Sequence, residues 1–255
     1  MGAFTETALA APDWPSGVSV QAESGIVIDA DTGTVLWGQN IHNQYFPASI
    51  TKIMTALIVI EKCSLDETVT FSHNAVFNVE AGSSNAGINE GDKLSVKDCL
   101  YALLLKSANE SANALAEHVA GSTEAFADMM NAKAKELGCT DTHFANPSGL
   151  NDPEHYTSTY DMALIARAAF LNPTFEEIDS TTYYKLPPNS INPEGLTIYP
   201  GHKMLKKSTP YYYPGIVGGK TGYTTLAGNT LVTCAKKNGL KLIAVILKGS
   251  TPQYW

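Results

Sequence analysis

Pro47-Ala48-Ser49-Ile50-Thr51-Lys52, running straight into Ile53-Met54-Thr55-Ala56-Leu57-Ile58-Val59-Ile60, is the stretch on which the reading of this chain turns. Ahead of it lie turn residues and short strand-like runs. From Ser49 to about residue 62 the apolar character is that of a buried helix. Ser49 is therefore predicted at or just inside a helix N-terminus, where free backbone N–H groups favour developing negative charge. Lys52, three residues on, falls on the same helical face. A serine hydroxyl attacks poorly until a base takes its proton, and a desolvated lysine can do so without a histidine. By itself S-x-x-K arises about once by chance in a chain this long, and it also describes a plain N-cap followed by an exposed lysine. The rest of the chain has to decide.

Outward from this stretch, the pattern has strands at both ends. Residues 24–30 read as a strand, Asp31-Thr32-Gly33 as a turn and 34–37 as the returning strand. After the nucleophile helix comes a short strand at 67–72 and a polar loop at 78–91. Helical periodicity then holds through 95–106, 109–120, 123–137 and 160–171, with a further turn at 174–179. Asn146-Pro147-Ser148-Gly149-Leu150 is turn chemistry. Strands return at 216–223, 229–235 and 240–247, and Asn238-Gly239 between the last two is a hairpin signal. The expected fold is α/β (α+β): an antiparallel sheet built from both chain ends, with a large helical insertion and a cleft between two lobes.

Composition narrows the function. The chain has 255 residues, 44% of them hydrophobic and 16% charged, as in globular proteins. A net charge of −8 with no basic cluster argues against a nucleic-acid ligand. No apolar run approaches the roughly 20 residues that span a bilayer. Cys63, Cys99, Cys139 and Cys234 are widely spaced, form no C-x-x-C pair and read as small core hydrophobes. The six histidines show no metal-binding spacing, so no metal and no cofactor are expected. Thr7-Ala8-Leu9-Ala10-Ala11-Pro12 has the small-residue look of a signal-peptide end, and residues 1–20 are expected to be a leader remnant or tail ahead of a catalytic domain at 21–255.

Two more motifs sit at element junctions. Lys220-Thr221-Gly222 lies on the first late strand, where lysine and threonine can grip a carboxylate. Gly218-Gly219 before it is expected to leave the strand edge open to a substrate backbone. Ser107-Ala108-Asn109 falls at a break between two helices, and a copy, Ser111-Ala112-Asn113, follows inside the second.

Taken in order, Ser49-x-x-Lys52, Ser107-x-Asn109 and Lys220-Thr221-Gly222 resemble the motif set of the penicillin-binding protein and serine β-lactamase superfamily. Gly33-Thr34-Val35-Leu36, Leu104-Leu105-Lys106 before Ser107, and His155-Tyr156-Thr157-Ser158-Thr159-Tyr160-Asp161 are most similar to the low-molecular-mass D-alanyl-D-alanine carboxypeptidases. The resemblance implies a β-lactamase/transpeptidase-like fold and an extracytoplasmic enzyme acting on peptidoglycan stem peptides that end in D-Ala-D-Ala, with β-lactams as covalent inhibitors. It implies Ser49 as nucleophile, Lys52 as its base, Ser107 and Lys220 as a proton relay, and Asn109 as a substrate-backbone contact. It places the terminal carboxylate on Lys220, Thr221 and Thr224, beside Gly222. The backbone N–H groups of Ser49 and Tyr223 become the oxyanion hole. Ser107 is preferred to Ser111 because Leu-Leu-Lys precedes it and because it lies at the helix break.

Three departures stand out. Ala108 replaces the aspartate of S-D-N, and no Glu-x-x-Leu-Asn segment is present, so a class A β-lactamase is the weaker alternative; Glu110 and Glu154 are the nearest substitutes. Tyr199-Pro200-Gly201-His202-Lys203-Met204-Leu205 replaces an asparagine-rich segment, and its His202 is expected in solvent. The C-terminal helix that usually covers the sheet has no counterpart before Trp255. A non-turnover β-lactam sensor or a peptidoglycan-binding pseudoenzyme would use the same fold. The sequence does not specify the oligomeric state.

Overall fold

The computed structural model describes residues 19–251, so the expected leader or tail lies outside it but for its last two residues. The chain begins with β1 (Ala22–Asp29) and β2 (Val35–Gln39), then makes a 3-10 turn at Ala48–Thr51 that leads into α1 (Lys52–Lys62). There follow β3 (Thr68–Thr70), α2 (His73–Phe77), β4 (Lys93–Ser95), α3 (Val96–Leu105), α4 (Asn109–Ala120), α5 (Thr123–Glu136), α6 (Thr159–Phe170) and α7 (Pro173–Asp179). The chain closes with β5 (Tyr184–Leu186), β6 (Leu196–Ile198), β7 (Ile216–Thr224), β8 (Gly228–Lys237) and β9 (Leu240–Gly249).

The main sheet has the order β2-β1-β9-β8-β7, so strands from the two chain ends meet where β1 pairs with β9. Every pairing in it is antiparallel, as the sequence predicts. At the β8–β9 hairpin Asn238 and Gly239 both have positive φ, 52° and 83°. That is the backbone of a primed two-residue turn, whose twist matches the flanking strands. Along β9 every second residue turns inward, burying Ile243, Val245 and Leu247 beneath α6.

The helical lobe is built around α1. Its first eight residues, Lys52 to Val59, are all buried, which is the mark of a helix surrounded by others. It packs against α3, α4, α5 and α6. Each fully buried aliphatic side chain of this core contributes roughly 1.5–3 kcal/mol by leaving water. Helix starts are fixed by side chains: Ser95 and Asp98 form a reciprocal capping box on α3, and Ser158 caps α6 through the N–H of Asp161.

The predicted elements differ from the observed ones in three places. Ser49 sits in the 3-10 turn, not in the α-helix, which begins at Lys52. The segment after β3 contains the short helix α2, and the pairs β3–β4 and β5–β6 form two small sheets. Three-residue strands hold too few positions for an alternating pattern to stand out in sequence.

Candidate active site

Pro47 to Lys52 are pressed against the sheet at β7 and β8. Thr230 Oγ1 on β8 donates to the carbonyl of Pro47 at 2.7 Å, which anchors the turn to the sheet. Gly222 on β7 runs directly beside the turn: a Cβ there would stand 2.8 Å from Ser49 N and 3.1 Å from Ala48 Cβ. Ala48 is held at φ 52°, and Ser107, at the break between α3 and α4, at φ 63°. A left-handed backbone costs a non-glycine residue about 1–2 kcal/mol, and both instances flank the cleft. Packing imposes this strain at the two places where a serine is presented.

The cleft has a volume of about 620 Å³. It brings together Ser49, Ser107, Asn109, Lys220, Thr221, Gly222, Tyr223 and Thr224, eight of the nine residues the sequence singled out. The ninth, Lys52, lies wholly buried beneath it. Lys52 Nζ is 3.1 Å from Ser49 Oγ, 2.7 Å from Asn109 Oδ1 and 2.5 Å from the carbonyl of Ser148. Burial drives its pKa well below the usual lysine range, the charge of Lys220 pushes the same way, and Glu110 opposes both. Loss of its proton, which this shift favours, leaves Lys52 two N–H bonds for the Asn109 and Ser148 oxygens. In that form its lone pair is free to face Ser49 Oγ.

Lys220 faces it from β7. Its Nζ donates to Ser107 Oγ at 3.0 Å and to the carbonyl of Thr221 at 2.7 Å. Burial lowers its pKa to about 8, with Asp179 holding it up. Thr224 closes one end of the cleft, donating to Asn151 Oδ1 at 2.8 Å and accepting the N–H of Ala227 at 3.0 Å. Ser111 is fully buried inside α4, so the structure brings Ser107 and not its copy to the cleft.

Several contributors escaped the sequence reading. Gly218 and Gly219 do not leave the strand open to a substrate. A Cβ at Gly218 would run into Asp179 Oδ2 and Phe170, and one at Gly219 into Val232 O and His202. They make room for two buried polar side chains behind Lys220. Asp179, at the end of α7, accepts the N–H of Gly219 at 2.6 Å, and burial raises its pKa to about 7. His202, expected in solvent, is 2% exposed and shares a 2.8 Å hydrogen bond with Thr233 Oγ1. Burial and the nearby Lys220 lower its pKa to about 4, which keeps it neutral.

On the other side His155 accepts the N–H of Ala145 at Nδ1 and donates through Nε2 to Thr51 at 2.8 Å. It fixes the loop that carries the Ser148 carbonyl. Glu110 accepts the N–H of Ala86 at 2.6 Å, while Asn109 N donates to the Ser84 carbonyl at 2.9 Å. These bonds hold residues 80–84 along the cleft wall. Spacing gives no sign of such partners, because each lies on a different element from the group it supports.

The chain as a whole is similar to known proteins. The family model for peptidase S11, D-alanyl-D-alanine carboxypeptidase, matches residues 7–251. The chain belongs to this family. It is 35% identical over 243 residues to the D-alanyl-D-alanine carboxypeptidase DacF of Bacillus subtilis, covering 93% of this chain and 60% of that protein. Against DacB2 of Mycobacterium tuberculosis the figures are 34% over 250 residues, 96% of this chain and 80% of the relative. Among solved structures, a D-alanyl-D-alanine carboxypeptidase of Mycobacterium tuberculosis superposes with a TM-score of 0.84 at 32% identity, covering 92% of this chain and 86% of that one. The Streptomyces K15 DD-transpeptidase gives 0.85 at 29% identity over 93% of both chains. The chain thus spans about three fifths of the DacF relative's length.

Proposed function

We propose that this protein is a serine-type D-Ala-D-Ala carboxypeptidase that removes the terminal D-alanine of peptidoglycan stem peptides in the extracytoplasmic cell envelope. The observation that carries the reading is the buried, doubly anchored amine of Lys52, 3.1 Å from Ser49 Oγ in a cleft whose opposite wall presents Lys220 and Ser107.

Ser49 Oγ attacks the carbonyl carbon of the penultimate D-alanine as Lys52 Nζ takes its proton. The carbonyl oxygen becomes an oxyanion facing the backbone N–H groups of Ser49 and Tyr223. The tetrahedral intermediate then breaks its C–N bond, and the departing amine takes a proton relayed through Ser107 and Lys220. D-Alanine leaves and an ester on Ser49 remains. Water attacks this ester, returns a proton to the site and releases the shortened peptide. Lys220 and Thr221 hold the terminal carboxylate, Gly222 lets the Ala48–Ser49 turn lie close against β7, and Thr224 bounds the pocket. Asn109 fixes Lys52 and borders the substrate path.

A β-lactam amide presents the same carbonyl and carboxylate, so it acylates Ser49 by the same steps. Neither Glu110 nor Glu154, the two carboxylates considered as substitutes for the deacylating glutamate of a class A β-lactamase, lines the cleft; the carboxylate that does is Glu80.

Intact-mass spectrometry after incubation with benzylpenicillin tests the nucleophile. The expected outcome is one stable adduct on the wild type and none on Ser49→Ala. Release of D-alanine from a peptide ending in D-Ala-D-Ala then separates a carboxypeptidase from a sensor. Rapid accumulation of free penicilloate with little adduct would replace this reading with β-lactamase activity. No adduct on folded protein would refute it.

A further inference from the structure

Far from the cleft, three side chains of different chemistry meet where two helices end. Cys63 is the C-cap of α1, and His118 lies in the last turn of α4. Glu67 precedes β3. The donor atoms of Cys63, Glu67 and His118 all lie within 4.8 Å of one another, and His118 Nε2 is 2.9 Å from Glu67 Oε2. The backbone beneath them is firmly held. Glu67 N–H donates to the Ser64 carbonyl at 3.2 Å, its own carbonyl accepts Val96 N–H at 2.9 Å, and Oε1 accepts the Ser64 N–H at 2.6 Å.

We propose that Cys63, Glu67 and His118 form a binding site for a divalent transition metal, with zinc as the best fit. Thiolate and imidazole suit zinc, and calcium or magnesium would demand oxygen ligands. Three protein ligands are a tetrahedral set with one position left for water. Donor atoms of such a tetrahedron stand about 3.3–3.8 Å apart, so small side-chain rotations from the observed arrangement close it. Independently of the donor set, the C-terminal ends of α1 and α4 converge here, and their dipoles favour a cation at this point. On binding, Cys63 Sγ–H gives its proton to solvent as the S–metal bond forms, His118 contributes a ring-nitrogen lone pair, and one Glu67 oxygen completes the set. The sequence shows no metal-binding spacing because the third ligand comes from a separate helix.

The site serves as a clamp. α1 opens with Lys52 and α4 with Asn109, the two residues that meet at 2.7 Å in the cleft. An ion at Cys63 and His118 ties together the opposite ends of these same helices. The α1 ends are separated by about 16 Å at the helical rise per residue. The clamp therefore adds stability and touches no reacting atom.

Cobalt(II) titration of reduced, metal-free protein tests this. The expected result is a 1:1 complex with a near-ultraviolet thiolate-to-cobalt band and visible bands of tetrahedral intensity, displaced by zinc. The thiolate band should vanish in Cys63→Ser, and affinity should fall about tenfold or more in His118→Ala. Zinc should raise the melting temperature of the wild type and not of Cys63→Ser. Near-ultraviolet circular dichroism and benzylpenicillin acylation confirm that each variant is folded. A thiolate band that survives Cys63→Ser, or the absence of any thiolate band with cobalt in excess, would overturn the assignment. Both outcomes are independent of whether the cleft hydrolyses D-Ala-D-Ala.

Discussion

Asp179→Asn probes the least expected feature of the site. Asp179 is fully buried behind Lys220, and its pKa is raised from 3.8 to about 7. A folded-state pKa above the unfolded one means that the folded protein holds the proton more tightly. The stability this provides is complete below the unfolded pKa and is lost as pH rises through about 7. Three pH units correspond to ~4 kcal/mol in total, of which ~2 kcal/mol falls between about pH 5.5 and about pH 8.5. Asparagine keeps an acceptor for the Gly219 N–H but cannot ionise. The variant should therefore lose ~2 kcal/mol less stability than the wild type across that interval. It also strips Lys220 of the charge that holds its pKa up, so Lys220 should lose its proton below its present value of about 8. That change favours the folded variant at alkaline pH and so adds to the difference. Urea unfolding at the two pH values measures the effect, with m-values compared to establish that the denatured states match. The same variant should shift the alkaline limb of penicillin acylation to lower pH, which a purely structural role would leave in place. Parallel pH dependence of stability in the two proteins would refute the reasoning.

Two further outcomes follow from the cleft geometry. In Gly222→Ala the new methyl stands 2.8 Å from Ser49 N and presses on Thr230 Oγ1, so acylation by benzylpenicillin should fall about 10²–10³-fold, as for loss of an oxyanion donor; unchanged acylation would remove Ser49 N from that role. In the wild type the acylation rate should rise with pH as Lys52 loses its proton and decline above about 8 as Lys220 loses its own. Stopped-flow acylation across this range checks it, and a profile with no alkaline decline would sink the assignment of Lys220 as the carboxylate anchor.

The legibility of this molecule in its sequence follows the range of the interactions involved. The main sheet was readable because β-branched runs are bounded by turn residues, and Asn238-Gly239 specifies its hairpin within two positions. Ser49 and Lys52 were readable because one turn of chain places them together. Ser107 and Lys220 were readable only by resemblance, since nothing local says that β7 will bring Lys220 Nζ to 3.0 Å from Ser107 Oγ. Asp179 and His202 were missed for the same reason without that help. A histidine between glycine and lysine looks solvated, and only the approach of β7 and β8 buries it. The double glycine was the available signal. Two adjacent residues without side chains mean close approach by something; the expected occupant is a substrate backbone, and the observed ones are Asp179, Phe170, Val232 and His202.

The two lysines of the cleft explain why so many buried polar groups surround them. On the proposed mechanism one site needs an amine that accepts a proton and an ammonium that attracts a carboxylate, at the same pH and from the same residue type. Burial alone lowers both pKa values and would make both neutral. The structure separates them by what each faces. Lys52 is hydrogen-bonded to neutral acceptors, Asn109 and the Ser148 carbonyl, and burial and repulsion by Lys220 outweigh the opposing charge of Glu110. Lys220 has Asp179 behind it, and this carboxylate holds its pKa up at about 8. Asp179 in turn fits only because Gly218 has no side chain, and it is oriented by the Gly219 N–H. The glycine pair ahead of K-T-G thus sets the charge of its lysine, through a carboxylate 40 residues away in sequence. Pairs of like groups pushed to different protonation states by their surroundings are how one site holds an acid and a base together. Here Asp179 holds up the pKa of Lys220, while at Lys52 burial and the charge of Lys220 outweigh the opposing Glu110.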